Sequence, residues 1–258
     1  VRTPWEHKNI PIDLELVKKL YFQEKRSLNQ IARELGLSYT KIRTEMMRNK
    51  LTRRDSVDLS LNKPNLQPTK NLCYLLGILH GDAYVYRNGS NHRISLESVD
   101  MPFISSFKES LQALGLKTSR PYSRKRKANR RTTHMTTAVS RIFYEWYKSL
   151  DFEKVKDILR SAEGEIDFLR GIYESEGSYF TSNGRDMVAI ASTNKEMMDF
   201  IKEVVETHNF SPTYPNMQIL KSGKPYYKLL WHKKAEIPRF VEMVNPCIKT
   251  QPNKRKLK

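Results

Sequence analysis

LLGILHGDA, from Leu75 to Ala83, and LRGIYESEG, from Leu169 to Gly177, lie 94 positions apart and place small residues and one carboxylate in the same register. The acids are Asp82 and Glu176. The spacing persists downstream without a gap: ISLESVD from Ile94 overlays VAIASTN from Val188, Phe107 overlays Ile201, and Pro121 overlays Pro215. The chain therefore carries a duplicated unit, and a repeat of about ninety residues is far longer than a solenoid period.

Residue size says how the copies meet. Gly77 and Gly81 are four apart, as are Gly171 and Ser175, so each pair forms a flat stripe on one helix face. Flat stripes let two backbones approach closely, a steric effect best known from small-xxx-small pairs in membranes. If the helices cross on these stripes, Asp82 and Glu176 emerge side by side at one end. Neighbouring carboxylates raise one another's pKa unless a cation lies between them. Oxygen ligands in a partly open site suit Mg²⁺ or a similar hard cation. A single copy of this pattern is ordinary helix packing with a solvated acid; two copies in register point to a shared site.

The two motifs, the repeat and the strand and helix patterns after each resemble the LAGLIDADG homing endonucleases in their single-chain, two-motif form, over Asn71 to Lys249. His80 and Glu174 stand at the motif's first Asp position, Arg170 at its usual Ala, and Ala83 at its closing Gly. The eighth-position acid, which that family uses to bind metal, is retained in both copies. The resemblance implies an α+β fold, a pseudo-symmetric tandem αββαββα core with saddle-shaped antiparallel sheets laid along a DNA major groove. It also implies Mg²⁺ or Mn²⁺ held by Asp82 and Glu176 with the carbonyls of Gly81 and Ser175, water ordered by Asp100 and Asn194, and a lysine near the end of each half. Lys154 or Lys156, and Lys249, are the candidates for those lysines, although the 94-residue offset pairs Lys249 with Val155. Each lysine reads equally as an ordinary surface residue. His80 invites the role of a base, but one His beside a crossing helix is more often packed or solvated.

Composition supports a polyanionic partner. Lys and Arg number 46 against 28 Asp and Glu, a net charge of +18 that favours binding by counterion release. The longest apolar run, Leu72 to Leu79, is broken by Tyr74 and Gly77 and is too short to span a bilayer, so a membrane is not the expected partner. No N-terminal signal pattern is seen. Cys73 and Cys247 lack CxxC spacing, which speaks for a reducing compartment and against a zinc module. The expected setting is cytoplasmic and nucleoid-associated in a prokaryote or phage host, or an organelle matrix.

Residues 1–52 read as a small all-α unit. Leu14, Val17, Leu20 and Tyr21 repeat at helical spacing, Leu28, Ile31, Ala32 and Leu35 mark a second helix, and Ser27 with Gln30 forms a capping box. Gly36-Leu37-Ser38 supplies a tight turn into a third helix that buries Ile42 and Met46 or Met47. The pattern looks like a helix-turn-helix, offering Tyr39, Lys41, Arg43, Thr44 and Arg48 to a major groove. A three-helix protein-binding module is the alternative, which the basic third helix disfavours. Residues 53–70, with Pro64 and Pro68, read as a linker, followed by half 1 over 71–160 and half 2, with a basic tail, over 161–258.

Each half reads helix, two strands, helix, two strands, helix. Gly89 permits a hairpin between Tyr84–Asn88 and Arg93–Glu97. Alternation puts Ile94 and Leu96 beneath the sheet and leaves Tyr84, Tyr86, Arg93, Ser95 and Glu97 on the polar face. In YSRKRKANRR, Tyr122 to Arg131, six of ten residues are basic. Such a run is usually a solvated tail, but its place between two apolar helices predicts a protruding hairpin with Arg124, Arg126, Arg130 and Arg131 on DNA. Its counterpart, Thr213 to Trp231, carries Lys221, Lys224 and Lys228 and is less charged, so the halves are unequal and the target asymmetric.

These readings converge on a monomer that makes a double-strand break in a long duplex DNA by metal-dependent phosphodiester hydrolysis. A catalytically silent DNA-binding regulator and an RNA maturase on the same fold are the alternatives.

Overall fold

The Ser27 hydroxyl accepts from Gln30 N at 3.2 Å while the Gln30 side chain accepts from Ser27 N at 2.8 Å, so the predicted capping box closes. It starts α2, Leu28–Glu34. This lies in the first of two compact units of the computed structural model, Val1–Leu61 and Asn62–Lys258. The described residues are 11–51, 63–89, 91–124, 131–214, 218–219, 223 and 225–253.

In the first unit α1, Leu14–Lys18, runs into a π-helical turn, Lys19–Gln23, and is followed by α2 and by α3, Tyr39–Arg48. Gly36 takes φ 62°, the left-handed conformation the turn requires, and Ser38 caps α3 by accepting from Lys41 N at 3.2 Å. Val17, Leu20, Tyr21, Leu28, Ile31, Ala32, Ile42 and Met46 form one core. Of the two methionines offered for that core, Met46 is the buried one and Met47 is 66% exposed.

The second unit contains α4, Lys70–His80; β1, Tyr84–Asn88; β2, Asn91–Ser98; α5, Met101–Ala113; β3, Tyr122–Arg124; β4, Thr133–Val139; and α6, Arg141–Lys148. After α7, Phe152–Ser161, the order repeats as α8, Glu165–Glu176; β5, Gly177–Ser182; β6, Arg185–Ser192; α9, Lys195–Thr207; β7, Gln218–Ile219; β8, Pro225–Trp231; and α10, Glu236–Val244. β2 and β6, and α5 and α9, keep the 94-residue offset end to end. Each half builds a four-stranded antiparallel sheet, in the orders β1-β2-β4-β3 and β5-β6-β8-β7. The fold is the predicted pseudo-symmetric α+β tandem. α7 has no counterpart in the repeat pattern; it carries half 1 into α8.

Alternation along the strands sets the sheet faces. Ile94, Leu96, Val188 and Ile190 are fully buried against the helices, in one core with Phe103, Phe107, Ile201 and Trp231. Ser95 departs from the predicted exposure. It is 0% exposed on its face of the sheet, and its hydroxyl lies 3.0 Å from that of Thr137, its register partner on the adjoining strand, so it ties β2 to β4. Among the described residues no helix is long and apolar enough to cross a membrane.

Candidate functional site

α4 and α8 cross where their side chains vanish. A Cβ on Gly77 would collide with the Phe168 carbonyl oxygen, and one on Gly171 would lie 2.8 Å from Ile78 N. A Cβ on Gly81 would likewise strike Ser175, whose own hydroxyl folds back to donate to the Gly171 carbonyl at 2.9 Å. Every residue from Leu72 to Leu79 is buried, as are Phe168, Leu169, Ile172 and Tyr173. Apolar packing on all other sides holds the backbones together, and the two stripes decide the depth of approach.

At the open end of the crossing, with Asp82 just past α4 and Glu176 the last residue of α8, both acids reach solvent. Asp82 and Glu176 are exposed, while Ala83 and Gly177 just after them are buried. Partial burial pushes the Glu176 carboxyl above its usual range, and the charge of Asp82 pushes it further. Asp82 is raised by desolvation as well, and Lys249 opposes the rise at both acids. The Lys249 ammonium donates to the carbonyls of Glu174 at 2.6 Å and Ser175 at 2.8 Å, at the C-terminal end of α8 where helix carbonyls lack partners. Desolvation lowers its pKa, opposed by Asp82, Glu176, Asp100 and Glu174. The Tyr173 phenol donates to the Lys249 carbonyl at 2.9 Å and fixes the residue, whose backbone is left-handed at φ 60°.

Two carboxylates above their usual pKa, the charge of Asp82 acting on Glu176, are oxygen donors that fit a hard divalent cation, while the Ser175 carbonyl beside them accepts from Lys249. No cluster of three or more His, Cys, Asp or Glu side chains placed for a metal occurs among the described residues. A cation here would rely on two carboxylates, backbone carbonyls, water and phosphate oxygens, the open coordination that Mg²⁺ and Mn²⁺ accept.

Residues 69–150 and 163–245 each match the model of the LAGLIDADG-like domain. The chain belongs to the LAGLIDADG-like family. The Methanocaldococcus jannaschii protein named Uncharacterized protein MJ0314 is 36% identical over 142 residues, covering 53% of this chain and 54% of its own, so the match spans about half of that relative. A second protein of that organism, Uncharacterized protein MJ0398, is 28% identical over 200 residues, 72% of this chain and 70% of its own. The homing endonuclease I-WcaI, solved bound to its DNA recognition sequence, shares the fold, with TM-score 0.52 at 15% identity over 73% of this chain and 89% of its own.

The LAGLIDADG helices treat their two departures from the motif differently. His80 is packed among Tyr147, Phe152 and Phe168, its Nδ1 3.0 Å from the Leu76 carbonyl, and burial lowers its pKa. Glu174, at the same motif position, is buried and accepts from Tyr74, from Arg170 Nε at 3.1 Å and from Cys247 N at 2.6 Å. Arg170 also lies over the Tyr74 ring. The sequence marks Glu174 only as a departure from the motif. An ionisable residue in an otherwise apolar crossing was the available signal that a partner must be folded onto it.

Of the remaining residues, Asp100 and Asn194 sit at the N-caps of α5 and α9. Asn194 spends its carbonyl on Met197 N at 3.1 Å, whereas Asp100 makes no side-chain cap bond and its charge acts on Lys249. Lys156 is not brought to the acids. It pairs with Glu153 at 2.5 Å and Glu196 at 3.9 Å, and Lys154 turns to Asp151 and the Ser149 carbonyl, because α7 directs both elsewhere. On the sheet, Tyr84 is 40% exposed and its ring lies 5.3 Å from that of Tyr86. Arg93 and Glu97 are half-buried, with Glu97 accepting from Thr133 at 2.7 Å. Arg124, in β3, and Arg131 are exposed, the predicted hairpin between them lies outside the described residues, and Lys228 lies over the Phe180 ring. Arg126, Arg130, Lys221 and Lys224 lie outside the described residues. In the first unit Tyr39, Arg43, Thr44 and Arg48 are exposed along α3 and Lys41 is half-buried, with Arg48 held to Glu45 at 2.7 Å.

Proposed function

We propose that this protein is a site-specific DNA endonuclease that makes a double-strand break in a long, asymmetric duplex, using Mg²⁺ or Mn²⁺. The observation that carries this reading is the juxtaposition of Asp82 and Glu176 at the open end of the α4–α8 crossing, each with a raised pKa and each under the charge of Lys249. The DNA-bound state of I-WcaI, on the same fold, supports a duplex as substrate.

Each scission is a hydrolysis. Water oxygen bonds to phosphorus, the ester P–O bond breaks, and one proton of the water ends on the released hydroxyl. A divalent cation at the two acids would lower the pKa of water and offset charge on the leaving oxygen. Asp82 and Glu176 would hold that cation, with the carbonyls of Gly81 and, once Lys249 moves off it, Ser175. Lys249, immobilised by Tyr173, sets a positive charge beside the phosphate. Asp100 is placed to order water near Lys249. Tyr84, Tyr86, Arg93, Arg124, Arg131 and Lys228 position the duplex, and α3 acts as the recognition helix of a helix-turn-helix that raises effective concentration at the target. The expected state is a monomer in the cytoplasm, on the nucleoid.

A second reading, a silent DNA-binding regulator, is favoured by one observation: the Lys249 ammonium already occupies the Ser175 carbonyl. Incubation with Mg²⁺ and a randomised duplex library separates the two. Discrete cutting that Asp82→Asn or Glu176→Gln abolishes, with binding retained, is the expected result; cutting that survives both substitutions would falsify the site, and binding without cutting selects the regulator.

A further inference from the structure

We propose that half 2 carries a small-molecule site for a nucleoside phosphate, in the cavity between the β5–β6 hairpin and the start of α10. The cavity holds about 520 Å³, within the roughly 300–1,000 Å³ of small-molecule sites, and its walls include Tyr179, Arg185, Asp186, His232, Lys234 and Pro238. It lies on the helix side of the sheet. Tyr179 pairs in register with Val188, which is fully buried against the helices, whereas the next residue, Phe180, turns to the other face with Lys228 over its ring. A duplex lying on that second face leaves the cavity free.

The connection into α10 opens it. In half 1 only Ser140 separates β4 from α6, its N donates to the His92 carbonyl at 3.0 Å, and the rings of His92 and Tyr144 lie 4.7 Å apart. The repeat sets Asp186 at the place of His92 and Pro238 at that of Tyr144, and residues 232–235 separate β8 from α10. A longer connection and two smaller side chains leave room where half 1 is filled. Arg185 and Lys234 enter no ion pair among the described residues, and His232 is engaged only through Nδ1, 3.4 Å from the Thr213 hydroxyl, so the walls offer donors suited to a phosphate. Asp186 accepts from Thr181 at 2.7 Å through Oδ1 and keeps Oδ2 without a partner among the described residues. Partial burial raises the Tyr179 phenol pKa and the charge of Asp186 raises it further, so carboxylate and phenol share the cavity. A bare phosphate would gain from the cations but be repelled by that carboxylate, and a DNA backbone has no hydroxyl to donate to it. A nucleoside phosphate answers every wall, with its phosphate for the cations, ribose hydroxyls for Asp186 and a flat ring for Tyr179 and Pro238.

The test titrates adenosine diphosphate into the full chain by calorimetry, without DNA. Saturable binding is expected, weakened by about tenfold or more in the double Arg185→Ala, Lys234→Ala variant. Pro238→Tyr, which brings in the residue half 1 carries there, should abolish binding while the melting temperature is kept. Asp186→Ala should erase the preference for adenosine diphosphate over its 2′,3′-dideoxy analogue. Arg239→Ala, which removes a cation of the same helix held over the Phe210 ring, should leave the affinity unchanged. No binding to the unaltered chain, ribose 5-phosphate or inorganic phosphate binding as tightly as the nucleotide, unimpaired binding to Pro238→Tyr, or equal losses in Arg239→Ala and the double variant overturns the inference. Displacement of the nucleotide by an equimolar duplex also overturns it, since the cavity would then be a contact for DNA phosphate. None of these outcomes touches the nuclease reading, which rests on Asp82 and Glu176.

Discussion

Gly77 and Gly171 meet with so little room that a Cβ on Gly77 would lie 3.0 Å from the Gly171 α-carbon, besides striking the Phe168 carbonyl. Backbone cannot yield as a flexible side chain does. Gly77→Ala should therefore destabilise the second unit by about 1–3 kcal/mol, the usual range for overpacking. Urea unfolding checks it, and an unchanged midpoint would show that the helices separate freely.

The buried Glu174 is matched in the repeat by His80, yet the two are held differently. Glu174→Gln leaves Arg170 without its buried anionic partner and should cost about 3 kcal/mol. His80→Gln loses aromatic contacts and one backbone bond and should cost roughly 1 kcal/mol. Equal losses in calorimetry would mean that the Tyr74–Arg170–Glu174 cluster does not act as a unit.

Because Asp82 and Glu176 both hold protons more tightly in the folded chain, the sign of the pH effect is set. The native state binds more protons than the unfolded one between the ordinary carboxylate pKa and the raised native values, so the pair's contribution to stability falls as pH rises through that window. Asp82→Asn removes the repulsion and should melt a few degrees higher at neutral pH, with a flatter acid limb. Added Mg²⁺ should raise the melting temperature of the unaltered protein more than that of the variant. A variant that melts lower at pH 7, with no metal added, would argue that the acids do not face one another.

On the first unit, Arg43 and Arg48 are exposed on the same basic helix. If α3 contacts phosphates, the double Arg43→Ala, Arg48→Ala variant should bind duplex more weakly and lower the slope of log affinity against log salt by about 2. Metal-dependent scission should persist. A slope identical to that of the parent chain would place α3 off the DNA.

Much of this arrangement is legible before folding is considered. Residue size at Gly77, Gly81, Gly171 and Ser175 already states how close two helices can come, and the 94-residue register brings Asp82 and Glu176 to one end. Alternation assigns Ile94 and Leu96 to the core because strand side chains point to opposite faces in turn. The same rule does not foretell that Ser95 is buried. Alternation says which face a side chain takes but not what covers that face, and the neighbouring strand supplies Thr137.

Pattern in the chain alone thus determined the duplication, the helix caps, the crossing and the paired acids, since each depends on residue sizes and spacings within a motif and on the return of that motif 94 positions later. Tertiary structure alone decided which lysine serves the acids, what neutralises Glu174 and where the symmetry fails. Lys249 is brought to Ser175 across 74 positions by the reversal at Asn245, while α7 carries Lys156 off to Glu153 and Glu196. Contacts of that range are set by the path of the backbone, and no periodicity in the chain encodes them.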